Sequence, residues 1–404
     1  MPESTEAKMI TVIGPNMGTN ALGRALVLAE LAKRLGHEVQ IIGSLRKNQS
    51  VWGPARDSPI PIRTFPLYRQ HHYLSAAKRV HELCASSDAV IISKSTPTSL
   101  GLALMAGVDP RRSILDIDDW EMGFRLARYK GGFGSRALTV LERGVSTLLP
   151  WTIETDVGVW LSEEMAPLYP WRTVSNEWLA SRFGGHVVRH ARDETVLDPL
   201  QVDSSEIRRE ISATNDRVWV GFIGTPRTHK GVNVLIDALA RLKGKDAPGL
   251  MLFGFDETLS ESVHLADLAL QRLGADRLRV KGFFPLTELP AHVSAPDIIC
   301  VPSVSSAATQ GQIPAKLFDA MAMGKPVVVS DVNDMSKIVG EAGLVVPPED
   351  SAALSAALNR LAQSPELRQK LGTLARQRFL ENDSFAACAK ELSAVLTPLL
   401  ESNA

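Results

Sequence analysis

The sequence predicts an α/β protein built from two doubly wound parallel sheets. Three observations carry this reading. Short apolar runs alternate with segments of helical periodicity, as in repeated βαβ units. The alternation begins near Met9, fades in the charged stretch Arg192 to Asp216, and restarts near Val218. With 404 residues, the chain has room for two or three domains of about 150 residues each.

The elements follow in order. Met9 to Ile13 is an apolar run that meets Gly14, Pro15 and Gly18. Leu22, Ala25, Leu26, Ala29, Ala32 and Leu35 then mark a helical stripe, with Thr19 or Asn20 as its expected N-cap and Gly36 as its stop. Glu38 to Ile42, Asp88 to Ile92 and Ser113 to Ile117 read as further strands, with a helix from about Thr98 to Ala106. In the second half, Val218 to Ile223 is a strand, Gly224 to Gly231 a loop, and Val232, Leu235, Leu239 and Leu242 the buried stripe of a helix. Strands are expected near Leu250 to Phe253, Leu278 to Lys281, Ile298 to Val301 and Pro326 to Ser330, followed by helices at Asp350 to Ala362 and Phe385 to Leu399. The expected domains are 1–200 and 201–384, with Arg192 to Asp216 as the linker and 385–404 as a final helix.

Composition narrows the function classes. The chain is 45% hydrophobic and 22% charged, enough apolar residue for a large core. Lys+Arg of 44 against Asp+Glu of 45 leaves a net charge of -1, which argues against nucleic acid as a partner. Cys84, Cys300 and Cys388 lack metal-ligand spacing and are odd in number, so neither a disulfide framework nor structural zinc is expected. Met1 to Lys8 is polar with two acids, the reverse of a secretory leader, and no apolar run reaches the ~20 residues of a membrane span. The expected location is cytoplasmic, with a peripheral contact at the inner membrane face. Two basic segments suggest that contact: Arg69, His71, His72, Tyr73 and Lys78, and Arg125, Arg128, Lys130, Arg136 and Arg143. For each, a solvated helical face is the favoured reading.

In doubly wound sheets ligands bind at the carboxyl ends of strands, so the loops decide the chemistry. Gly224-Thr225-Pro226-Arg227-Thr228-His229-Lys230-Gly231 places two cations beside a helix N-terminus, an arrangement suited to a phosphate or diphosphate. Solvated surface charge is the alternative. The loop lacks the Gly-Lys-Ser/Thr ending of a P-loop. A second loop runs from Ser303 through Thr309, Gln310, Gly311 and Gln312 to a helix that carries Lys316 and Asp319 three residues apart. Asp319 is the acid suited to accept both hydroxyls of a ribose; a simple Lys316 to Asp319 helix pair is the other reading. In the first half, Asp116-Ile117-Asp118-Asp119-Trp120-Glu121 sets four acids at a strand's carboxyl end. They suit a sugar-facing or acceptor-facing role, a divalent metal held in an Asp-x-Asp pattern, or acids at a helix N-terminus.

These stretches resemble GT-B glycosyltransferases of family 4, the glycosyl transferases group 1. Phe222-Ile223-Gly224 to Lys230-Gly231-Val232 is similar to the family's phosphate-binding strand and loop. Ala320-Met321-Ala322-Met323-Gly324-Lys325-Pro326-Val327-Val328 is similar to its Ala-Met-Ala-x-Gly-x-Pro-Val segment. Lys281 to Phe284, Ala295-Pro296-Asp297 and Gly343 to Pro348 fit the elements between and after them. Gly14 to Gly18 resembles the family's glycine loop, which with Thr19 implies a contact with the donor. The likeness is contiguous from Val218 to Pro348 and patchy before Thr173. The sequence departs from the pattern where the family carries two glutamates with seven residues between them: Gly311 and Asp319 stand there instead. Arg227 also lies two residues beyond the family's usual arginine place, which Thr225 fills.

The resemblance implies two Rossmann-like domains facing a central cleft, the acceptor domain first and the nucleotide domain second, with the final helix returning to the first. It implies a retaining, metal-independent transfer of a sugar from a nucleoside diphosphate sugar, UDP being the commonest, to the hydroxyl of a glycan, glycolipid or small molecule. Arg227, Lys230 and Asp118 are then the catalytic candidates. Gly18, Thr19, Gly224, Phe283, Phe284, Thr309, Gln310, Gly311, Gln312, Lys316 and Asp319 are the donor candidates, and Asp119 and Glu121 the acceptor candidates. The alternatives are a non-catalytic nucleotide-sugar-binding subunit and a GT-B-fold UDP-N-acetylglucosamine epimerase.

Overall fold

The computed structural model describes residues 6–127 and 153–402. The chain divides into two units, 1–191 with 385–404, and 192–384. In the first unit the strands are β1 (Met9–Asn16), β2 (Glu38–Leu45), β3 (Ile62–Pro66), β4 (Ala89–Ser93), β5 (Ser113–Ile117), β6 (Trp171–Val174) and β7 (His186–Val187). Among the described residues they pair, all parallel, in the order β3-β2-β1-β4-β5-β6-β7. The second unit has β8 (Trp219–Ile223), β9 (Gly249–Phe253), β10 (Leu278–Lys281), β11 (Ile298–Val301), β12 (Val327–Ser330) and β13 (Gly343–Val346), again parallel, in the order β10-β9-β8-β11-β12-β13. Both are doubly wound. The order reverses between β1 and β4 in one sheet and between β8 and β11 in the other, the places where such sheets take ligands.

Parallel strands are covered on both faces, which is why β4, β5, β8, β9, β11 and β12 are buried along their whole length and read as near-continuous apolar runs. Helix α1 (Leu22–Arg34) buries Leu22, Ala25, Leu28, Ala29 and Ala32 against this sheet. The N-cap expected at Thr19 or Asn20 is displaced: Thr19 Oγ1 bonds back to the Asn16 carbonyl at 3.1 Å, and the helix begins at Leu22. Helix α2 (Tyr73–Cys84) covers another part of the first sheet, and α3 (Val232–Arg241) and α4 (Ser260–Leu273) cover the second.

The helix expected from about Thr98 to Ala106 is a π-helical turn, Pro97–Gly101, continued by a single α-turn at Leu102–Met105. The stretch Arg192 to Asp216, expected as a linker, is folded into the second unit. Arg208 reaches the Ala295 carbonyl at 2.7 Å and Asp297 at 2.8 Å, and the Trp219 indole donates to the Thr214 carbonyl. Three long helices follow β13: α5 (Ser351–Gln363), α6 (Pro365–Asn382) and α7 (Phe385–Ser402). Cys388, Leu392, Val395, Leu396 and Leu399 of α7 join the apolar cluster of α1 in the first unit.

One buried ion pair ties the first unit together. Arg24, on α1, forks onto Asp116 of β5 through Nε (2.9 Å) and Nη2 (2.7 Å), and also donates to the carbonyls of Val188 and Arg189 beyond β7. Both side chains are fully buried. Thr173 Oγ1 donates a further bond to Asp116.

In the second unit Gly231 sets how closely α3 approaches β11. Its φ is +73°, and a Cβ there would lie 1.6 Å from the carbonyl oxygen of Pro302. Gly231→Ala is expected to lower stability by at least about 2 kcal/mol, from left-handed backbone strain plus displacement of the Pro302 peptide. A urea melt showing an unchanged midpoint would contradict this close approach.

Candidate functional site

The loop after β8 is built on glycines. Gly224 has φ +105° and donates its N–H to the Phe253 carbonyl at 2.8 Å; Gly231 closes the loop in the left-handed region and opens α3. Between them Thr228–Lys230 forms one 3-10 turn, held by the Thr228 N–H donating to Glu261 at 2.8 Å. Lys230 Nζ bonds only to a carbonyl, that of Thr225, at 3.1 Å. Burial, and then the charge of Arg227, holds the Lys230 ammonium down to about 8. A third cation comes from α8 (Ala315–Ala322): Lys316 Nζ is buried without a hydrogen-bond partner, 3.5 Å above the ring of Phe222. Burial, and then Lys230, pushes it well below the usual lysine value. His229 is lowered in the same way, by burial and then by its cationic neighbours.

Among the described residues, no carboxylate lies within ion-pair distance of Arg227, Lys230 or Lys316. Three basic side chains thus share one small region, where Arg227 lowers Lys230 and Lys230 lowers Lys316. Such a set is completed by an anion, and the free N–H groups at the start of α3 add to its pull.

The second loop meets the first where the Val304 N–H donates to the His229 carbonyl at 3.3 Å. Ser306 and Thr309 cap a short turn, Ala307–Gln310, with Thr309 Oγ1 donating to the Val304 carbonyl at 2.7 Å. Gln310 is exposed, Gly311 buried and Gln312 partly buried. Lys316 and Asp319 do not form the helix pair that their spacing allows. Lys316 turns to Phe222, whereas Asp319, 5% exposed, accepts from Arg192 Nε at 2.5 Å. Beyond β10, Phe283 is 69% exposed, while Phe284 turns inward and stacks on His292 at 3.7 Å and 3°.

In the first unit Gly18 and Thr19 follow β1, where the Gly18 N–H donates to Asn16 Oδ1 at 3.0 Å. The four acids after β5 separate. Asp116 is taken by Arg24, so it is no partner for Asp118 in an Asp-x-Asp pair. Asp118, Asp119 and Glu121 converge on Lys94, whose Nζ lies 2.8, 2.7 and 3.2 Å from them. Lys94 escaped the sequence reading. The only signal was a lysine directly after a wholly apolar strand, within Ser93-Lys94-Ser95-Thr96. Asp119 is pushed up to about 7 by burial, with Asp118 and Glu121 repelling its charge and Lys94 opposing them. Asp118 stays below its ordinary value because Lys94, His190 and Arg24 outweigh the cost of its burial.

Of the basic segments, His72 accepts from the Tyr68 and Arg69 N–H groups as a turn cap. Arg125 pairs with Asp156 at 2.5 Å. Arg128, Lys130, Arg136 and Arg143 lie outside the described residues. Among the described residues no helix is long and apolar enough to cross a membrane.

Residues 217–364 match the family model described as Glycosyl transferases group 1. The curated relatives include the alpha-D-kanosaminyltransferase of Streptomyces kanamyceticus, 27% identical over 191 residues, 46% of this chain and 47% of that protein. The MMP alpha-(1->4)-mannosyltransferase of Mycolicibacterium hassiacum is 30% identical over 202 residues, 49% of this chain and 46% of that protein. The chain thus spans about half the length of the curated relatives it matches. Among solved structures, Anabaena HepE in complex with UDP-glucose superposes with a TM-score of 0.71 at 15% identity, over 97% of this chain and 100% of that one. The sucrose-phosphate synthase of Thermosynechococcus elongatus gives 0.68 at 16% identity, over 98% and 100%. At such identities the likeness shows the fold, GT-B with two parallel-sheet Rossmann-like units.

The depressed lysines predict a pH dependence whose sign is fixed. A bound diphosphate favours the ammonium form of Lys230, so binding raises the pKa from about 8 and takes up a proton as it does so. Affinity for a diphosphate is expected to be highest below about pH 8 and to fall between about pH 8 and about pH 9.5, with net proton uptake in that window. Calorimetry in buffers of different ionisation enthalpy measures both. Affinity that is flat across this range would contradict a diphosphate seated on Lys230.

Proposed function

We propose that this protein transfers a sugar from a nucleoside diphosphate sugar to an acceptor hydroxyl, with retention of anomeric configuration, starting from the match of residues 217–364 to the group 1 glycosyltransferase model and from the GT-B fold. The observation that carries the reading is the set of three basic side chains, Arg227, Lys230 and Lys316, without a carboxylate partner around Gly224. Breaking the bond between the sugar and the phosphate builds negative charge on the diphosphate while the sugar becomes oxocarbenium-like. Fixed cations and backbone N–H groups placed where that charge develops bind the transition state more tightly than the ground state. They can perform the charge neutralisation that a divalent metal supplies elsewhere, so the reaction is proposed to be metal-independent.

The other donor contacts follow from position. With Oδ1 of Asp319 engaged by Arg192, Oδ2 is the oxygen offered to the ribose hydroxyls. The backbone at Phe283 and Phe284 serves the base, and the Thr309 to Gln312 turn, with Gly311 lacking a side chain, serves the sugar. In the first unit, Asp118, Asp119 and Glu121 are the proposed acceptor residues. The leaving phosphate oxygen takes the acceptor's proton, so no separate base is required. UDP is the proposed nucleotide; a structural neighbour crystallised with UDP-glucose supports that choice.

A thermal-shift screen with UDP, GDP, ADP and dTDP tests the nucleotide, since a ligand at 100 times its Kd stabilises by about 2.7 kcal/mol. With hexose donors of the nucleotide so identified, Arg227→Ala and Lys230→Ala are each expected to cost roughly 2 to 4 kcal/mol in transition-state binding, about two to three decades in kcat. Wild-type turnover in both variants would overturn the proposed roles. Tight nucleotide binding with neither hydrolysis nor transfer would favour the non-catalytic subunit, and isomerised nucleotide sugar without acceptor, seen by proton NMR, the epimerase.

A further inference from the structure

Lys94 stands just past β4, beside the place where the first sheet reverses its strand order. Its φ is +72°, a left-handed conformation that residues bearing a side chain rarely adopt. The bend is held at both ends: the Lys94 N–H donates to the Asp116 carbonyl at 2.9 Å, and its own carbonyl accepts from Ser99 Oγ at 2.6 Å. A π-helical turn follows at Pro97–Gly101, an irregularity enriched at functional sites. Ser93 and Ser95, both fully buried, keep hydroxyls without a hydrogen-bond partner on either side of Lys94.

Two of the three short contacts are hydrogen bonds, to Asp119 and Glu121; the third sets Asp118 Oδ1 2.8 Å from the ammonium and leaves that buried oxygen without a hydrogen-bond partner. Each contact goes to a different carboxylate, so each acid keeps a second oxygen that Lys94 does not engage. Arg24 and Asp116 nearby form a matched pair, one cation to one anion, as a structural bridge does. The Lys94 set is unmatched, one cation to three acids in a largely buried place, and burying uncompensated charge is costly. Other charged groups leave the sign unchanged. Arg24 and His190 act on Asp118 at longer range, while Glu163, buried and itself raised to about 7, faces Glu121.

We propose that Lys94 is a positioning residue, fixing Asp118, Asp119 and Glu121 so that their outer oxygens receive the hydroxyl groups of an uncharged polyol acceptor, and that phosphorylated acceptors are refused. Hydroxyls donate well to carboxylate oxygens, whereas a phosphate would meet like charge with only one lysine, already shared by three acids, to offset it. The inference rests on the glycosyltransferase reading and adds an acceptor class to it.

The test follows release of nucleoside diphosphate from hexose donors of the nucleotide selected by the screen, with water as the background acceptor. The probes are methyl α-D-glucoside and myo-inositol, against glucose 6-phosphate and myo-inositol 1-phosphate. The neutral pair is expected to accelerate release above the rate in water, and the phosphates are not. Lys94→Met is expected to lower kcat/KM for the neutral polyol by about tenfold or more, mostly through KM, while nucleotide affinity in the second unit stays within about twofold. Lys94→Arg keeps the charge but changes its geometry, and should lie between the two. If Lys94→Met does not fold, Lys94→Arg decides alone: a raised acceptor KM with intact nucleotide affinity supports the proposal, and a wild-type KM overturns it. Wild-type kinetics in Lys94→Met, preference for the phosphates, or release that no polyol accelerates would each overturn it. A wild-type protein that binds no nucleotide and releases none fails the glycosyltransferase reading itself, a result distinguishable from all of these.

Discussion

The structure depends on a repulsion. Arg227, Lys230 and Lys316 are drawn into one region of the second unit with, among the described residues, no carboxylate at ion-pair distance, and burial together with a neighbouring cation pushes the two lysines below their ordinary values although Glu261 and Asp319 act on them from further off. Folding alone would not select this, since an unpaired buried cation lowers stability. The cost is met by elements that have no other evident use for such geometry. Gly224 and Gly231 take up backbone conformations that bring β8 and α3 to the cluster, the Thr225 carbonyl receives Lys230, and the face of the Phe222 ring lies under Lys316. On the proposed reading, an anion bound at this cluster relieves the repulsion, so its binding energy is available where charge accumulates.

The first unit shows the opposite imbalance, and β5 explains how. Along a strand, residues two apart share a face, so Asp116 and Asp118 would point together if the strand continued. It ends at Ile117. Asp116 stays within the sheet and meets Arg24, while Asp118 lies past the turn and meets Lys94 together with Asp119 and Glu121. One short sequence of acids therefore does two jobs: the first holds α1 to the sheet, and the others gather unspent negative charge at the carboxyl end of the strands.

This also marks what the sequence could and could not disclose. Apolar runs buried on both faces, such as β8, β9 and β11, stand out without any tertiary knowledge, and the glycines flanking Arg227 and Lys230 are legible because a phosphate loop is local. Edge strands are not. β7 has two residues, β3 mixes Ile62 and Phe65 with Arg63 and Thr64, and neither carries a period that separates it from a loop. Arg192 to Asp216 looked like a linker because its ties, Arg208 to Asp297 among them, run to residues far along the chain. The site failed to be legible for the same reason. Lys94 and Asp119 are 25 positions apart, and nothing at either place names the other. Spacing misled at Lys316 and Asp319: neighbours on a helix can pair, but here the ring of Phe222 and the guanidinium of Arg192 offered each a better partner.

A net charge of -1 for the whole chain therefore conceals two strong local fields of opposite sign. Composition averages them away, yet they are what gives the molecule direction. On the proposed reading, a ligand carrying two phosphates is drawn to the basic loop after β8 and repelled by the acids after β5, while a neutral polyol finds hydrogen-bond acceptors at the acids and little to neutralise at the cations. Donor and acceptor then cannot exchange places. That discrimination needs no conformational switch and no metal, only the placement of lysine and arginine without acids in one sheet's loops, and of acids with a single lysine in the other's.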